Sequence, residues 1–180
     1  LFLYKPKALI LVPAVIALFL LTSPQPMKRR ALSIFSLHGY ANKQRIEYLK
    51  AGWQIIREFP LHGTGPDTVD MVFQNPKYGL SEVSRQNVHL HNNIIQIAAE
   101  RGVPTLLTWV GFIVWAFYSL LKRLKNKGSP VFPHAAAAAA ALLALVTAGL
   151  FEYNFADSEI AVLFLYLITM PFALPKKAEP

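Results

Sequence analysis

Long apolar stretches occupy four parts of the sequence and constrain its fold more than any other feature. Residues 103–121 can cross a bilayer as a helix, which takes about 20 residues, and residues 8–21, 135–151 and 160–174 are somewhat shorter. Only 16% of the 180 residues are charged, whereas a soluble domain carries about 25%. A buried helix of a soluble protein explains any single stretch, but four together are typical of a membrane protein. The sequence therefore predicts an all-α integral membrane protein, a multi-span helical bundle with a large, partly helical extracytoplasmic loop.

Basic residues beside these stretches predict the orientation of the chain. Segment 152–159 contains neither Lys nor Arg, whereas the other flanks contain Lys5, Lys7, Lys122, Arg123, Lys125, Lys127, Lys176 and Lys177. Short cytoplasmic loops are enriched in Lys and Arg. We therefore predict transmembrane helices at residues 1–21, 103–121, 135–151 and 160–175. The segments 122–134 and 176–180 are then cytoplasmic, and the segments 22–102 and 152–159 lie outside.

The first residue, the absence of cysteine and the net charge each bear on what kind of membrane protein this is. Leu1 is not an initiator methionine and lies close to an apolar stretch, so we interpret the chain as the C-terminal part of a longer protein. A cleaved signal peptide is the alternative. The absence of cysteine excludes disulfides and thiolate chemistry within this sequence. The net charge of +8 comes mostly from residues near the apolar stretches, which indicates contact with membrane lipids rather than with nucleic acid.

The long outer segment, residues 22–102, is predicted to contain structure of its own. Asn42 can cap a helix over residues 43–59, which Pro60 ends. Apolar residues at spacings of three and four predict one stripe on this helix, which lies in the membrane interface or packs on transmembrane helices: Ile46, Leu49, Trp53 and Ile56. The following "PLHGTGPDT" reads as a tight turn, because a phosphate-binding loop would end in Gly-Lys-Ser or Gly-Lys-Thr. Residues 71–84 show no periodicity and are predicted to be irregular.

The stretch "VHLHNNIIQIAAERGVP" contains two histidines directly before a predicted helix over residues 92–101, with a break at Gly102 and Pro104. Three interpretations are open. His89 and His91 on an extended strand suit zinc, with a third ligand drawn from Asp67, Asp70 or Glu82. The His and Asn side chains can instead cap the helix start, which is the simplest role for Asn92 or Asn93. Finally, a histidine here can take a proton from a hydroxyl group as a general base.

The order of motifs resembles that of the O-antigen ligase superfamily. His91 and Asn92, nine further residues and then Gly102 are similar to the His-Asn-x9-Gly signature of that group. The group also contains O-antigen polymerases and oligosaccharyltransferases that act on pilins. Upstream, Arg45, a helix with Trp53 and the run "FPLHGTG" at residues 59–65 occur in the order typical of the large periplasmic loop. The resemblance covers roughly residues 39–175 and implies a GT-C-like helical membrane glycosyltransferase.

What the resemblance implies is a specific reaction. A glycan is transferred from a polyprenyl (undecaprenyl) diphosphate carrier to an acceptor hydroxyl, such as that of lipid A–core in lipopolysaccharide biosynthesis. The reaction takes place at the outer side of the bacterial inner membrane, with no metal and no cofactor, and it inverts the anomeric carbon. His91 is then the catalytic residue, and Arg45 and Arg85 bind the donor diphosphate. His89 and Asn92 are supporting residues beside it. Independently of the resemblance, Glu152, Asn154 and Asp157 lie at a predicted membrane boundary, where polar residues are costly, so Glu152 is a further supporting candidate. We do not expect the fragment to be active alone.

Other functions remain open from the sequence. A polysaccharide polymerase or a protein O-oligosaccharyltransferase of the same superfamily would share the donor and the motifs. A transporter or lipid-binding module is a different class, but transporters usually place charged residues within broken spans, and the predicted spans contain almost none. A metal-dependent hydrolase would need the third ligand mentioned above. The pair Glu152 and Asp157 could form a glycosidase-like carboxylate pair, although nothing in the sequence favours it.

Overall fold

The computed structural model describes residues 11–28 and 40–174, and the regular structure within these residues is helical throughout. Short 3₁₀ turns occur at Pro76–Tyr78 and Ser84–Gln86. The longer elements are α1 (Leu11–Thr22), α2 (Tyr40–Glu58), α3 (Val69–Phe73), α4 (Asn93–Arg123), α5 (Phe132–Ala148) and α6 (Ser158–Ala173). The all-α prediction is therefore confirmed for the described residues. Four of the lysines used to predict orientation lie outside them: Lys5, Lys7, Lys176 and Lys177.

The chain divides into two compact units, Leu1–Lys43 and Gln44–Pro180. The first unit contains α1, whose C-terminal carbonyl groups are satisfied by hydroxyl groups. Thr22 Oγ1 donates a hydrogen bond to the Leu18 carbonyl at 2.8 Å, and Ser23 Oγ donates one to the Phe19 carbonyl at 2.5 Å. The second unit contains every residue of the candidate site described below.

By length and composition, α4 is the one helix in the described residues that could cross a membrane. The helices α5 and α6 are apolar but shorter, with 17 and 16 residues, and at about 1.5 Å per residue each is shorter than the roughly 30 Å of a bilayer core. Gly102 has φ 81° and ψ 164°, which is not helical, so α4 consists of two helical parts joined at that residue. The predicted break at Gly102 is confirmed.

The helix α5 packs between α4 and α6 through its small side chains. Ala135, Ala138 and Ala139 are buried, and Leu142 extends the same face. Small residues allow helices to approach closely, so the alanine run that lowers the hydropathy of this segment also forms its packing surface. The prediction that this alanine-rich helix packs against others is confirmed. Its partners in the core include Ile113, Ala116 and Leu120 of α4 and Phe164 and Ile168 of α6.

A second core holds the outer segment together and attaches it to the first part of α4. It contains one face of α2, the short elements that follow α2, and the beginning of α4. Its buried members are Tyr48, Ala51, Ile55, Ile56, Val69, Phe73, Tyr78, Leu80, Leu90, Ala98 and Ala99. Residues 44–102 of the outer segment are therefore folded around their own apolar core, as the length of the segment predicts.

Most of the predicted apolar stripe on α2 is exposed and does not pack on other helices, so its alternative location, the membrane interface, stays a prediction. Ile56 is buried, but Ile46, Leu49 and Trp53 are 42%, 44% and 52% exposed. The buried face instead passes through Tyr48, Ala51 and Ile55, with Gly52 between them. A β-carbon at Gly52 would overlap the Ile95 side chain, so the glycine lets α2 approach α4 closely. Periodicity does not distinguish these two faces because both carry apolar residues at helical spacing.

Two smaller predictions about the outer segment also differ from the structure. The helix α2 is already present at Tyr40, so Asn42 lies within it and is not its N-cap. Residues 71–84, which were predicted to be irregular, contain the end of α3 and the Pro76–Tyr78 turn. Asn75 caps that turn by accepting a hydrogen bond from the Lys77 amide at 3.1 Å. These elements are too short to show a recognisable period in the sequence.

Candidate functional site

The glycine-rich turn after α2 is bound directly to the backbone of α4. The Thr64 amide donates to the Ala99 carbonyl at 2.9 Å, and the Gly65 amide donates to the Glu100 carbonyl at 2.9 Å. In the opposite direction, the Val103 amide donates to the Pro60 carbonyl at 2.8 Å. These bonds satisfy backbone groups that the break in α4 leaves without helical partners. The turn and the break therefore form one joint.

Two glycines make this joint possible. A β-carbon on Gly63 would overlap the Glu100 backbone, and a β-carbon on Gly102 would overlap the Leu61 backbone. Both residues also have positive φ, at 66° and 81°, and the φ and ψ of Gly102 belong to a region that only glycine occupies readily. The two glycines of the motifs "LHGTG" and His-Asn-x9-Gly thus meet in space, which explains why both motifs require glycine there.

His91 lies at the other end of the first part of α4, in a backbone conformation that is unusual for a residue with a side chain. Its φ is 50°, and Asp67 is the other non-glycine residue with positive φ in the described residues. The preceding Leu90 amide donates to Gln96 Oε1 at 2.6 Å, and both residues are buried. Asn92 follows as the N-cap, with its Oδ1 accepting from the Ile95 amide at 3.0 Å. The expected cap is therefore present. It stabilises the backbone immediately after His91, where the chain enters α4.

The imidazole of His91 is oriented by a carboxylate from the connection between α5 and α6, residues 149–157, which we call the outer connection after its predicted side of the membrane. His91 Nδ1 lies 2.8 Å from Glu152 Oε1, and the side chains are 25% and 54% exposed. The same oxygen accepts from the Tyr153 amide at 3.1 Å. The Tyr48 ring packs against the imidazole, with ring centres 5.4 Å apart. A carboxylate bonded to Nδ1 favours the proton on that nitrogen, which leaves Nε2 as an acceptor.

Both asparagines after His91 bind this outer connection. Asn92 Nδ2 donates to the Leu150 carbonyl at 2.9 Å. Asn93 is buried, and its amide donates to the Gly149 carbonyl at 2.7 Å. The Asn93 side chain donates to Asn154 Oδ1 at 2.8 Å and accepts from the Asn154 amide at 3.1 Å. Residues 149–154 are thus held on both sides of Glu152.

Arg45 lies in the same neighbourhood. Its guanidinium is 5.8 Å from the centre of the Phe151 ring, next to Glu152 in the chain. Arg45 lies three residues before Tyr48 on α2, almost one helical turn away, and the Tyr48 ring packs on His91. The structure therefore brings Arg45, His91 and Glu152 together from three separate segments, with one cation and one candidate base near an accessible surface.

Arg85 is held in a different way. Its Nε donates to the Leu80 carbonyl at 3.2 Å, and its own carbonyl accepts from Gln74. The contacts within the described chain do not join Arg85 to His91, Arg45 or Glu152. The adjacent Ser84 carbonyl accepts from the Tyr48 hydroxyl at 3.3 Å. Arg85 therefore belongs to the segment 80–87, which packs on α2 on the far side of the Tyr48 ring from His91.

Glu47 fastens that segment to α2. Its Oε2 accepts from the Ser81 amide at 3.1 Å and from the Ser81 hydroxyl at 2.7 Å. Burial raises the pKa of Glu47, but hydrogen bonds from Ser84 and Ser81 outweigh burial, so that its pKa lies below the ordinary value of 4.5. The carboxylate form of Glu47 is therefore the one that the fold stabilises.

His89 packs on the outer connection without meeting His91. Its ring lies edge-on to Tyr153 with centres 5.2 Å apart, and its buried Nδ1 has no hydrogen-bond partner. Tyr153 in turn accepts from Arg101 Nη1 at 3.0 Å. The extended geometry assumed for a zinc pair is absent, because the backbone of His91 is left-handed. The described residues contain no group of three His, Cys, Asp or Glu side chains that could hold a metal ion.

Asn93, Asn154 and Tyr48 hold the site in place, a role that the sequence did not predict. Asn154 was noted only as a polar residue at a membrane boundary. Asn93 was treated only as an alternative helix cap, and Tyr48 was not considered. Two consecutive asparagines at a predicted helix start are a partial signal, because a buried polar side chain needs hydrogen-bond partners. Gly149 belongs to the same group, since a β-carbon there would overlap the Asn93 side chain.

Comparison with known proteins gives one family. The sequence profile of the O-antigen ligase family matches residues 1–110. No curated protein matches the chain. The matched range contains Arg45, the "LHGTG" turn, His91 and Gly102, whereas Glu152 follows it. Because the match covers more than half of the 180 residues, the chain belongs to the O-antigen ligase family of membrane proteins.

Proposed function

We propose that the protein is a membrane ligase that transfers a glycan from a polyprenyl-diphosphate carrier to an acceptor hydroxyl. The donor is a lipid-linked glycan, the acceptor is lipid A–core or a similar glycolipid, and the reaction occurs at the outer side of the bacterial inner membrane. Family membership supports an O-antigen ligase or polymerase type of activity. The finer assignment depends on the chemistry of the site.

The observation that carries the proposal is the pairing of His91 with Glu152. The carboxylate holds Nδ1 at 2.8 Å, so Nε2 can take the acceptor hydroxyl proton as the acceptor oxygen attacks the anomeric carbon. The bond between that carbon and the phosphate oxygen breaks, and the diphosphate leaves with the electron pair. A single displacement of this kind inverts the anomeric carbon and needs neither a metal nor a nucleotide.

Arg45 is the residue that we propose for the leaving diphosphate. Guanidinium groups bind phosphate oxygens through paired hydrogen bonds, and Arg45 lies beside Phe151, next to the His91–Glu152 pair. Arg85 is a second candidate, on the segment behind Tyr48. It would need to release the Leu80 carbonyl or use its remaining nitrogens. We assign Asn92 and His89 the roles of holding the outer connection in place.

The proposed topology has the site outside the membrane. Residues 22–102 and 152–159 form the outer surface and residues 122–134 are cytoplasmic. The proposed spans are residues 1–21, 103–121, 135–151 and 160–175, of which the first and the last extend beyond the described residues. The helices α5 and α6 are shorter than a bilayer core, a mismatch that local thinning of the bilayer accommodates. Large apolar side chains exposed on α4 and α6 support this arrangement, because lipid can cover them: Leu107, Val114, Trp115, Val162, Leu163 and Tyr166. A polymerase would use the same donor and base, and would differ in taking a growing glycan as acceptor.

Complementation tests this proposal. The intact gene is expressed in a ligase-deficient strain as wild type, His91→Ala, Arg45→Ala and the control His134→Ala, whose histidine lies at the predicted cytoplasmic end of α5. Wild type and His134→Ala are expected to restore surface glycolipid, and the other two variants are not. Glycolipid that survives both substitutions would falsify the ligase proposal. Activity of the purified protein should persist in EDTA, and its loss would point to a metal instead.

A further inference from the structure

The outer face of α2 is exposed, although it carries large apolar side chains. Ile46, Leu49 and Trp53 are 42%, 44% and 52% exposed and lie at spacings of three and four residues. Lys50 and Arg57 lie on the same face, and the Arg57 guanidinium stacks on the Trp53 ring at 5.2 Å. We call these five residues the outer strip. Helical spacing makes them one continuous surface, with apolar and basic side chains side by side.

The charges of α2 are divided between its two sides. The acidic residues bind the rest of the outer segment, since Glu47 accepts from Ser81 and Glu58 accepts from Lys77 and Tyr78. Within the described residues, neither Lys50 nor Arg57 lies within ion-pair distance of a carboxylate. Lys50 does attract the Glu47 carboxylate and helps to lower the pKa of that group. The outer strip therefore carries positive charge as well as apolar side chains, and neither of its cations is held in an ion pair.

We propose that the outer strip lies on the outer leaflet of the membrane and prefers anionic lipid headgroups. A helix with Trp and aliphatic residues beside Lys and Arg is suited to the boundary between headgroups and acyl chains. Tryptophan prefers that boundary because its ring is apolar and its N–H is polar. Basic residues close to the surface add attraction to anionic lipids, which salt weakens. A lipid surface satisfies both parts of the strip at once.

This docking has a consequence for the fold of the outer segment. The buried face of α2 holds the outer core, and Arg45 lies near its N-terminal end. Contact of the outer strip with lipid would therefore fix the outer segment against the membrane surface. It would also keep Arg45 close to the lipid headgroups. Placement of α2 on the outer leaflet rests on the proposed topology, whereas its contact with lipid does not depend on the transferase activity.

Spin labels can test the docking, because the sequence contains no cysteine. Leu49→Cys and Trp53→Cys are labelled in the intact protein and reconstituted into vesicles of phosphatidylethanolamine with phosphatidylglycerol. The matched control is Gln54→Cys, an exposed polar position adjacent to Trp53. At positions 49 and 53 we expect collisions with oxygen to exceed those with a water-soluble nickel chelate. At position 54 the ratio should be reversed.

Two results would overturn the proposal. One is a ratio at positions 49 and 53 that equals that of position 54, which means that the strip faces water. The other is low accessibility to both reagents, which means that another protein segment covers the strip. The charge preference is tested by adding Lys50→Glu and Arg57→Glu to the labelled proteins. This change should shift both labels toward water in anionic vesicles, whereas Lys125→Glu with Lys127→Glu should not. An equal shift for both pairs would refute the lipid preference of the strip.

Discussion

At the scale of single residues, the site depends on groups that never need to touch the substrate. Asn92 and Asn93 are adjacent, yet they bind the outer connection on opposite sides of Glu152, through Leu150 and Asn154. Tyr48 packs on the His91 ring and hydrogen-bonds the 84–87 segment. The orientation of one imidazole therefore depends on three segments that are distant in the sequence.

Glu152→Gln should lower turnover by an amount smaller than that of His91→Ala. General acid–base catalysis by a positioned side chain contributes about 10²- to 10⁴-fold, and His91→Ala should lose it. The glutamine keeps the size of the side chain but removes the negative charge that favours a proton on His91 Nδ1 and stabilises the imidazolium. Turnover is measured with the purified protein and a lipid-linked donor. The control Glu159→Gln changes an acidic residue in the first turn of α6 that bonds Ser158 instead. Equal turnover for both glutamine variants would contradict the role of Glu152.

Asn93→Ala should destabilise the protein by about 2–4 kcal/mol, because it leaves buried hydrogen-bonding groups of Asn154 without partners. The change is measured as a lower unfolding temperature in detergent. Asn126→Ala is the control, since Asn126 is exposed and bonds only the local Gly128 amide. If both variants unfold at the same temperature, Asn93 does not hold the outer connection.

At the scale of elements, the joint between the turn at residues 60–65 and the break in α4 is the main organising feature. It uses backbone hydrogen bonds in both directions and two glycines that face each other's segments. This joint connects the outer segment to the helix that begins next to His91. Substitutions at the joint should therefore shift the position of the site, although they replace none of its side chains.

Gly102→Ala should destabilise the protein by at least about 1–3 kcal/mol, because alanine strongly disfavours this backbone conformation. The added methyl group would also displace the Leu61 backbone. Gly111→Ala in the same helix is the matched control. No atom lies within 4 Å of the β-carbon position at Gly111, so alanine should be neutral or slightly stabilising there. The measurement is the unfolding temperature of each variant, and we expect it to be lower for Gly102→Ala than for Gly111→Ala. Equal values would show that the joint tolerates a side chain.

The attachment of the 81–84 segment to α2 should weaken at acidic pH. The pKa of Glu47 in the folded protein lies below its ordinary value of 4.5. Its contribution to stability is therefore fully present above pH 4.5 and is lost as the pH falls through the lowered pKa. Hydrogen exchange at the Ser81 amide, corrected for the intrinsic rate, should become faster over that interval. Glu47→Gln should exchange fast at every pH, and an unchanged pH profile in this variant would exclude Glu47 as the cause.

At the scale of the whole molecule, residues 44–174 of the second unit form an apolar helical part and a folded outer segment that meet along α4. The core of α4, α5 and α6 and the core of the outer segment are separate groups of buried residues. Their common element carries the start of the site at one end and basic residues, Lys122 and Arg123, at the other. This arrangement is compatible with a site that faces outward while the basic end faces the cytoplasm.

Cysteine labelling should show that orientation. In spheroplasts, a membrane-impermeant maleimide should react with Gln86→Cys and Glu159→Cys and should react with Lys125→Cys only after lysis. The basis is the preference of Lys and Arg for cytoplasmic loops, and all three positions are exposed. Labelling of Lys125→Cys in intact spheroplasts would reverse or abolish the proposed topology.

The sequence by itself determined the features that local patterns record. Apolar runs predicted the helical class, and the His-Asn-x9-Gly signature with Arg45 and the glycine-rich turn predicted the family that the profile match shows. It also predicted the break at Gly102, because glycine followed closely by proline interrupts a helix. Glu152 was chosen from its position at a membrane boundary, and its partner could not be read from that position.

Only the tertiary structure decided which of these residues meet. His91 and Glu152 are 61 residues apart in the sequence, and so are Asn93 and Asn154. Their contact depends on how the first part of α4 packs on residues 149–154, where Asn93 binds Gly149 and Asn154. Helical periodicity contains no information about that packing. The choice between the two apolar faces of α2 has the same origin. Gly52 allows one face to approach α4, and close approach is a property of two surfaces together rather than of one segment.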